Sequence, residues 1–387
     1  MRERLPGGGC SLPTTTTKGR RIMRKTLLML FACCGLMGFA AAVRAEDPGY
    51  KIVTGPERGT YIQIGQDLAH WVAEPAGIDL QVLPSKGSAE NVQRMRYEPG
   101  VKLALVQSDV YQAYVDMAKA GNEEAGKIIQ PLRLIMPLYN EEIYFVVRAD
   151  SPLNYIHEIK GKVLSVGLIG SGTAQSATTL YKLMYNEPIP DEDAQHYSNE
   201  DALAKLIVRK IDVAIIVAGQ PAKLFQDMNP ELLGQIKLLK FDPSVPESTR
   251  ATQTYFPATI RTTSYPNWIK EDTPTLTVKA FLVTYDYGLR GTVGELTQFA
   301  DSFCTHFDEL QANGHPKWKQ VKMELPPLGR GWKYYPPVEK RLRACIRKMA
   351  SATTGAPAED ATAVPVAQKA PKRACSDQEK VLMLCGQ

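Results

Sequence analysis

The chain has 387 residues, with 46 Lys and Arg against 41 Asp and Glu. Residues 1–45 hold eight of the basic residues and one acidic one, so the remainder carries 38 basic against 40 acidic, a net of −2. That balance, with no Lys/Arg run interleaved with aromatics, excludes the electrostatic footprint of a nucleic-acid binder, and the roughly 340 residues left suit two lobes better than one small core.

The first element is not part of a fold. From Met23, Arg24 and Lys25 make a positive start, Leu27 to Ala42 an apolar stretch, and Val43-Arg44-Ala45 places small residues before a cut at Glu46. This is the pattern of a secretory signal peptide. The apolar run is shorter than the roughly 20 residues a spanning helix needs. Residues 1–22 read as an over-long start, with the Arg20-Arg21 pair upstream of the better one. Leu30-Phe31-Ala32-Cys33 resembles a lipid-attachment site, but the apolar run continues past it. The expected product is exported to the periplasm and soluble.

Strands and helices then alternate. Tyr50–Thr54 predicts a strand, and Ile62, Ile64, Leu68, Trp71 and Val72 recur at helical spacing. Strands are expected at 80–83, 103–107, 132–138 and 143–148, with helices at 88–97 and 110–120. The pattern restarts near residue 150: a short element at 153–159, strands at 162–168, 211–217 and 236–241, helices at 174–185 and 198–208. A long strand at 275–285 and helices at 295–310 and 338–349 close the body. Such alternation implies an α/β fold with mostly parallel sheets flanked by helices. Residues 351–374, rich in Ala, Pro and Thr, read as a disordered linker. Ser376-Asp377-Gln378-Glu379 is a capping box that opens a short helix bracketed by Cys375 and Cys385.

Four cysteines follow the leader: Cys304, Cys345, Cys375 and Cys385. An even number in an exported chain points to disulfides. Ten helical steps separate Cys375 from Cys385 by about 15 Å, too far for a bridge unless the helix breaks. Cys304 with Cys345, on neighbouring helices, is the more natural pair; the tail cysteines have the body, a second chain or each other as partners.

Chemistry concentrates in loops at the carboxyl ends of strands: 54–61, Lys86-Gly87-Ser88, Gln107-Ser108-Asp109, Gly170-Ser171-Gly172-Thr173 and Ala218-Gly219-Gln220-Pro221. Ligands of open α/β sheets sit outside such ends. Unpaired N–H groups at helix starts favour an anion there, Gly admits close approach, and Ser/Thr hydroxyls donate and accept. Five such loops read as a carboxylate cradle, although Ser and Thr are also ordinary helix caps. Nucleotide motifs fail: Gly167 and Gly172 have P-loop spacing but Thr173-Ala174 follows in place of Lys-Ser/Thr, and Gln175 stands where a dinucleotide fingerprint needs Gly or Ala. His70, His157, His196, His306 and His315 form no metal-ligand spacing, and no cofactor is implied. Asp109 reads as a capping or ligand-binding carboxylate rather than a base. No nucleophile–base pair stands out, so no enzyme is expected.

Taken in order, Thr54-Gly55…Gly59-Thr60-Tyr61, Gly87-Ser88-Ala89-Glu90-Asn91, Gln107-Ser108-Asp109, Leu138-Tyr139, Gly161-Lys162, Gly170–Thr173 and Ala218–Pro221 resemble the TAXI family of TRAP-transporter solute-binding proteins, over about Tyr50 to Tyr335. The resemblance implies a two-lobed periplasmic binding fold, type II-like: lobe 1 from 46–145 and 258–350, and lobe 2 from 146–257. It places the hinge near Glu142–Arg148 and the return near Ala258–Tyr265. It implies a small organic acid as ligand, glutamate-like, dicarboxylate or keto acid, and the membrane permease subunits of an ion-driven transporter as partner. The ligand shell carried over is Thr54, Tyr61, Ser88, Asn91, Gln107, Ser108 and Tyr139 from lobe 1. Lobe 2 adds Ser171, Gly172, Thr173, Gly219 and Pro221. Ser171, Thr173 and their N–H groups would hold a carboxylate, with Tyr61 packed over the ligand.

Departures from the family pattern bear on the ligand. The first loop ends Thr60-Tyr61-Ile62 where the family has two tyrosines, and Glu57 and Arg58 add charge. Arg58 pairs either a second carboxylate of the ligand or Glu57 in solvent. The linker and tail are additions that suggest a second task, docking or dimerisation. A sensory or interaction module reporting to a membrane receptor is the competing function.

Overall fold

Short apolar runs bounded by glycine-containing turns build the first half of the sheet. The computed structural model describes residues 49–328 and 331–354; the leader with Cys33, most of the linker and the tail with Cys375 and Cys385 lie outside the described residues. Strands β1 (Tyr50–Val53), β2 (Leu80–Leu83) and β3 (Val101–Gln107) pair in parallel, in the order β2-β1-β3. The helices between them are α1 (Thr60–Leu68), which runs on into a π turn at Ala69–Ala73, and α2 (Ser88–Tyr97). Helices α3 (Ser108–Lys119) and α4 (Glu123–Ile129) follow β3. The α4 helix was not expected from the sequence; Asn122 caps it by accepting from the Ala125 N–H at 2.9 Å.

One strand, β4 (Leu132–Arg148), replaces the two expected at 132–138 and 143–148. Its 17 residues reach roughly 56 Å. The polar stretch Asn140-Glu141-Glu142 reads as a break, yet it stays in the ladder because its polar groups are met. It pairs with Lys279, Val278 and Thr277 of β10 (Thr273–Tyr285), Thr277 Oγ1 donates to the Glu141 carbonyl at 2.5 Å, and Lys317 Nζ donates to the Asn140 carbonyl at 2.7 Å.

The second half repeats the plan. Strands β5 (Leu164–Ser165), β6 (Ala194–Gln195) and β7 (Val213–Ala218) are parallel. Helices α5 (Gly172–Tyr185) and α6 (Asn199–Ile207) pack on them. β5 is shorter than the expected 162–168 because the chain turns at Gly167, whose φ of +88° only glycine takes readily. The sheet order is β2-β1-β3-β10-β4-β7-β5-β6, with β8 (Ile236–Leu238) on β4 and β9 (Phe256–Ile260) on β10. The outer strands are parallel and the two long crossing strands are antiparallel to their neighbours, so the fold is a mixed α/β sheet with flanking helices in two lobes.

Alternation explains the cores. Ile143, Phe145 and Val147 of β4, with Val213, Ile215 and Val217 of β7, face one cluster of the second lobe. Tyr144 and Val146, with Ala214 and Ile216, face another on the opposite side. Both faces of β7 are covered, which is why its sequence is apolar without a break. The first lobe has its own core, including Ile52, Leu105, Met136, Phe281 and Trp318. Membership changes between Tyr139 and Ile143 along β4, and between Val278 and Ala280 along β10. The stretch Ala258–Tyr265, expected to carry the return, instead packs with the second lobe through Ile260 and Tyr265.

At the end of the body, α10 (Arg290–Thr305) stops at His306 and α11 (Phe307–Asn313) restarts, where one helix was expected; α12 spans Pro336–Thr354. These labels leave α7–α9 for the short helices at 223–226, 230–233 and 246–251. Cys304 on α10 is bridged to Cys345 on α12, with Cα atoms 6.2 Å apart.

Candidate functional site

The carboxyl ends of the parallel strands in both halves open on one cavity of about 140 Å³. That is below the roughly 300–1,000 Å³ of drug-sized pockets and suits a ligand of few heavy atoms. From the first lobe it is lined by Gly55 and Tyr61 after β1, Lys86 to Ser88 after β2, Gln107 at the end of β3, and Glu141 on β4. From the second come Gly167, Ser171 to Thr173, Ser198 to Glu200, and Val217-Ala218.

The α5 start is built from the sequence up. Gly167 at φ +88° and Gly170 at φ +88° turn the chain after β5. Ser171 is the cap: its Oγ accepts from the Ala174 N–H at 3.0 Å. Its hydroxyl proton remains available to the cavity. The N–H groups of Gly172 and Thr173, at the first turn, have no acceptor within the helix. Thr173 Oγ1 accepts from the Val217 N–H at 3.3 Å. Across the cavity Ser88 Oγ accepts from the Gln107 N–H at 3.1 Å. The approach is close: a Cβ on Gly172 would sit 1.9 Å from Gln107 Oε1, and one on Gly87 would sit 3.2 Å from the Gly172 nitrogen.

The halves are tied on either side of this cavity. The Glu90 N–H donates to the Gly170 carbonyl at 2.8 Å, and Thr60 Oγ1 to the Gly219 carbonyl at 2.9 Å. Asp109, fully enclosed, accepts from Ser176 Oγ at 2.6 Å and from the Tyr255 hydroxyl at 2.9 Å. Burial raises its carboxyl above the ordinary range, with those two hydroxyls opposing.

Three buried side chains of the cavity wall, Tyr61, Gln107 and Glu141, lie against one another, with Tyr61 OH, Gln107 Oε1 and Glu141 Oε2 buried together. Burial pushes the Glu141 carboxyl up to about 7, although Tyr61 and Gln107 beside it and the Lys317 charge pull the other way. Burial, with Glu141 next, holds the Tyr61 phenol well above its usual range. The neighbouring Glu142 is differently placed. It pairs with Lys317 at 2.7 Å and accepts from the Gln220 N–H at 2.8 Å and Gln220 Nε2 at 3.0 Å. That network rivets β4 to the Gln220-Pro221 loop, which is cis.

Of the expected shell, the structure brings Tyr61, Ser88, Gln107, Ser171, Gly172 and Thr173 to the cavity wall. The others stand elsewhere. Thr54 Oγ1 donates to the Leu83 carbonyl, and Asn91 Nδ2 donates to the carbonyls of Thr54 and Leu105; both brace the strands. Ser108 opens on a separate groove between α3 and α5. Tyr139 is buried behind Glu141, its hydroxyl unpartnered. Gly219 and Pro221 lie in the loop after β7, where the Gly219 carbonyl accepts from Thr60 Oγ1. Arg58 pairs with Asp227 of the second lobe at 3.3 Å, neither with Glu57 nor toward the cavity. Glu141 and Lys317 were missed by sequence reasoning; the available signal for the first was two carboxylates inside an otherwise apolar run. Among the described residues, no group of three or more His, Cys, Asp and Glu could hold a metal ion, and no helix is long and apolar enough to cross a membrane.

The NMT1-like family model matches residues 52–323. Solved structures with a similar course of chain include one described as a periplasmic transporter, at 12% identity and TM-score 0.44 over 79% of this chain and 95% of that one. Another is the substrate-binding protein of an amino acid ABC transporter, at 12% identity and TM-score 0.41 over 69% and 100%. A third is an OxyR mutant of Corynebacterium glutamicum, at 13% identity and TM-score 0.41 over 76% of each.

Proposed function

This chain belongs to the NMT1-like family, and from that membership we propose that it is an exported solute-binding protein that catches a small organic acid between its lobes, without chemistry, for a TRAP-type secondary transporter. The observation that carries the reading is the wall of the cavity. The first turn of α5, with Ser171, Gly172 and Thr173, faces Ser88 and Gln107 of the other lobe across a space of metabolite size. Unpaired N–H groups and the helix dipole there favour a carboxylate. Tyr61, Gln107 and Glu141 line the same space. The TAXI-like order of loops in the sequence supports the transporter assignment over a sensory module.

The test is a thermal-shift screen of the purified protein, produced with its own leader in an exporting host, over amino acids, dicarboxylates and keto acids. A ligand at 100 times its Kd stabilises by about 2.7 kcal/mol. The expected result is a hit that disappears in Ser171→Ala with Thr173→Ala. A folded protein that responds to no acid contradicts the proposal.

A further inference from the structure

The second lobe leaves an apolar groove open on its surface, sharing only Glu200 with the ligand cavity. It lies between α6 and the short helices α7 and α8, encloses about 390 Å³, and is lined by Leu203, Ile207, Val208, Leu224, Met228 and Leu232. Leu203 and Ile207, four residues apart on α6, share one helix face. Leu203 and Leu224 join the groove floor to the core of the lobe, whereas Val208 is 62% and Leu232 39% exposed. Large apolar side chains that gather on a surface, rather than stand singly, mark a contact site. On the rim, Arg58 of the first lobe pairs with Asp227 at 3.3 Å, so whatever sits in the groove lies beside a junction of the lobes.

The chain itself carries a fitting occupant. After the capping box Ser376–Glu379 come Val381, Leu382, Leu384 and Cys385, which fall within about 160° of one another at the 100° per residue of an α-helix. So short a helix is marginal alone and draws its stability from an apolar surface to pack against. The roughly 20 residues from 355 to 374 extend up to about 70 Å. A folded body of roughly 300 residues has an expected radius of gyration of about 19 Å, so the groove is within reach of the end of α12. A tether of this kind presents its cargo at an effective concentration on the order of millimolar, enough to fill a weak site. We infer that residues 376–385 dock in this groove of their own chain, with Val381, Leu382 and Leu384 entering between α6 and α8 as a helix in a groove. The α12 helix belongs to the first lobe, through Val338 and Leu342, and is bridged there to α10 by Cys304–Cys345. The groove belongs to the second lobe. The docked tail is therefore a strap from lobe to lobe; it needs no ligand and stands apart from the capture reading.

Met228, half-buried in the groove wall, reports on occupancy. The experiment is oxidation of the exported protein by hydrogen peroxide, with the tail present by intact mass, followed by mass spectrometry of Met228. Met117, 40% exposed on α3, is the reference. The wild type is compared with Leu382→Asp plus Leu384→Asp, a pair of changes that touches no residue of the described body. The expected result is Met228 oxidation at least threefold faster in the variant, with Met117 unchanged and the wild-type rate unaltered by tenfold dilution. Equal Met228 rates leave the groove uncovered and overturn the inference. Protection that fades on dilution assigns the groove to the tail of a second copy and overturns the strap within one chain.

Discussion

Asp109→Ala should weaken ligand binding without touching the ligand. The carboxylate starts α3 in the first lobe and accepts only two side-chain donors, Ser176 Oγ at 2.6 Å and the Tyr255 hydroxyl at 2.9 Å, both from the second lobe. Hydrogen bonds to a charged group contribute about 1.5–3 kcal/mol each. Part of that is spent on burying the carboxylate, whose pKa burial raises. With Asp109 gone, the Tyr255 hydroxyl keeps the Ser176 carbonyl at 3.2 Å, but the Ser176 hydroxyl is left unpaired in this conformation at about 1–3 kcal/mol, while separated lobes would give it to water. The net loss to the joined state is about 2–4 kcal/mol, which raises the apparent Kd roughly 30- to 900-fold. Calorimetry with the best ligand of the screen reads it. Asp109→Asn, which keeps one acceptor oxygen, should lose less. A double-mutant cycle with Ser176→Ala should show at least about 1 kcal/mol of coupling, the scale of residues that share one network. A Kd within threefold of wild type, with coupling near zero, refutes the reasoning.

Three further outcomes follow from the same geometry. Lys317→Met leaves Glu142 charged and buried and should cost about 3–5 kcal/mol in urea unfolding, with stability partly restored by adding Glu142→Leu. In the ligand-free protein, Glu141 holds its proton up to about pH 7 against an ordinary 4.5. The folded state therefore binds more protons between those values, and stability falls as pH rises from about 4.5 to 7. The wild type should lose about 3 kcal/mol relative to Glu141→Gln from pH 4.5 to pH 8; equal losses in thermal melts across that range contradict it. Replacing Cys304 and Cys345 by Ser opens a link of sequence separation 41 and should cost about 4 kcal/mol by loop entropy, read as a drop in Tm that reduction of the wild type reproduces.

Much of the scaffold is legible because periodicity and turn residues are local. The β1, β2 and β7 strands and the α2 helix follow from runs of a few residues, and the α5 start follows from Gly-Ser-Gly-Thr, since cap and anion site use the same groups. That shared chemistry is also why the shell is only partly legible. Thr54 and Asn91 have the residue types of a ligand shell, yet their side chains hold β1, β2 and β3 together. The loop sequence does not separate the two roles. Glu141 escaped because the polar stretch in mid-strand looks like a turn; it is a strand only because β10 and Lys317 meet it from 130 residues or more away. Asp109 was singled out as a cap or ligand carboxylate, but its partners Ser176 and Tyr255 come together only in the folded chain.

The central claim is that one small acid bridges the two lobes. Hydrogen–deuterium exchange, with and without the acid that gives the largest thermal shift, tests it most directly. The account predicts simultaneous protection at 171–174 at the start of α5 and at 107–109 at the end of β3, with none on α12. Protection confined to one lobe, or no protection at either segment, contradicts it.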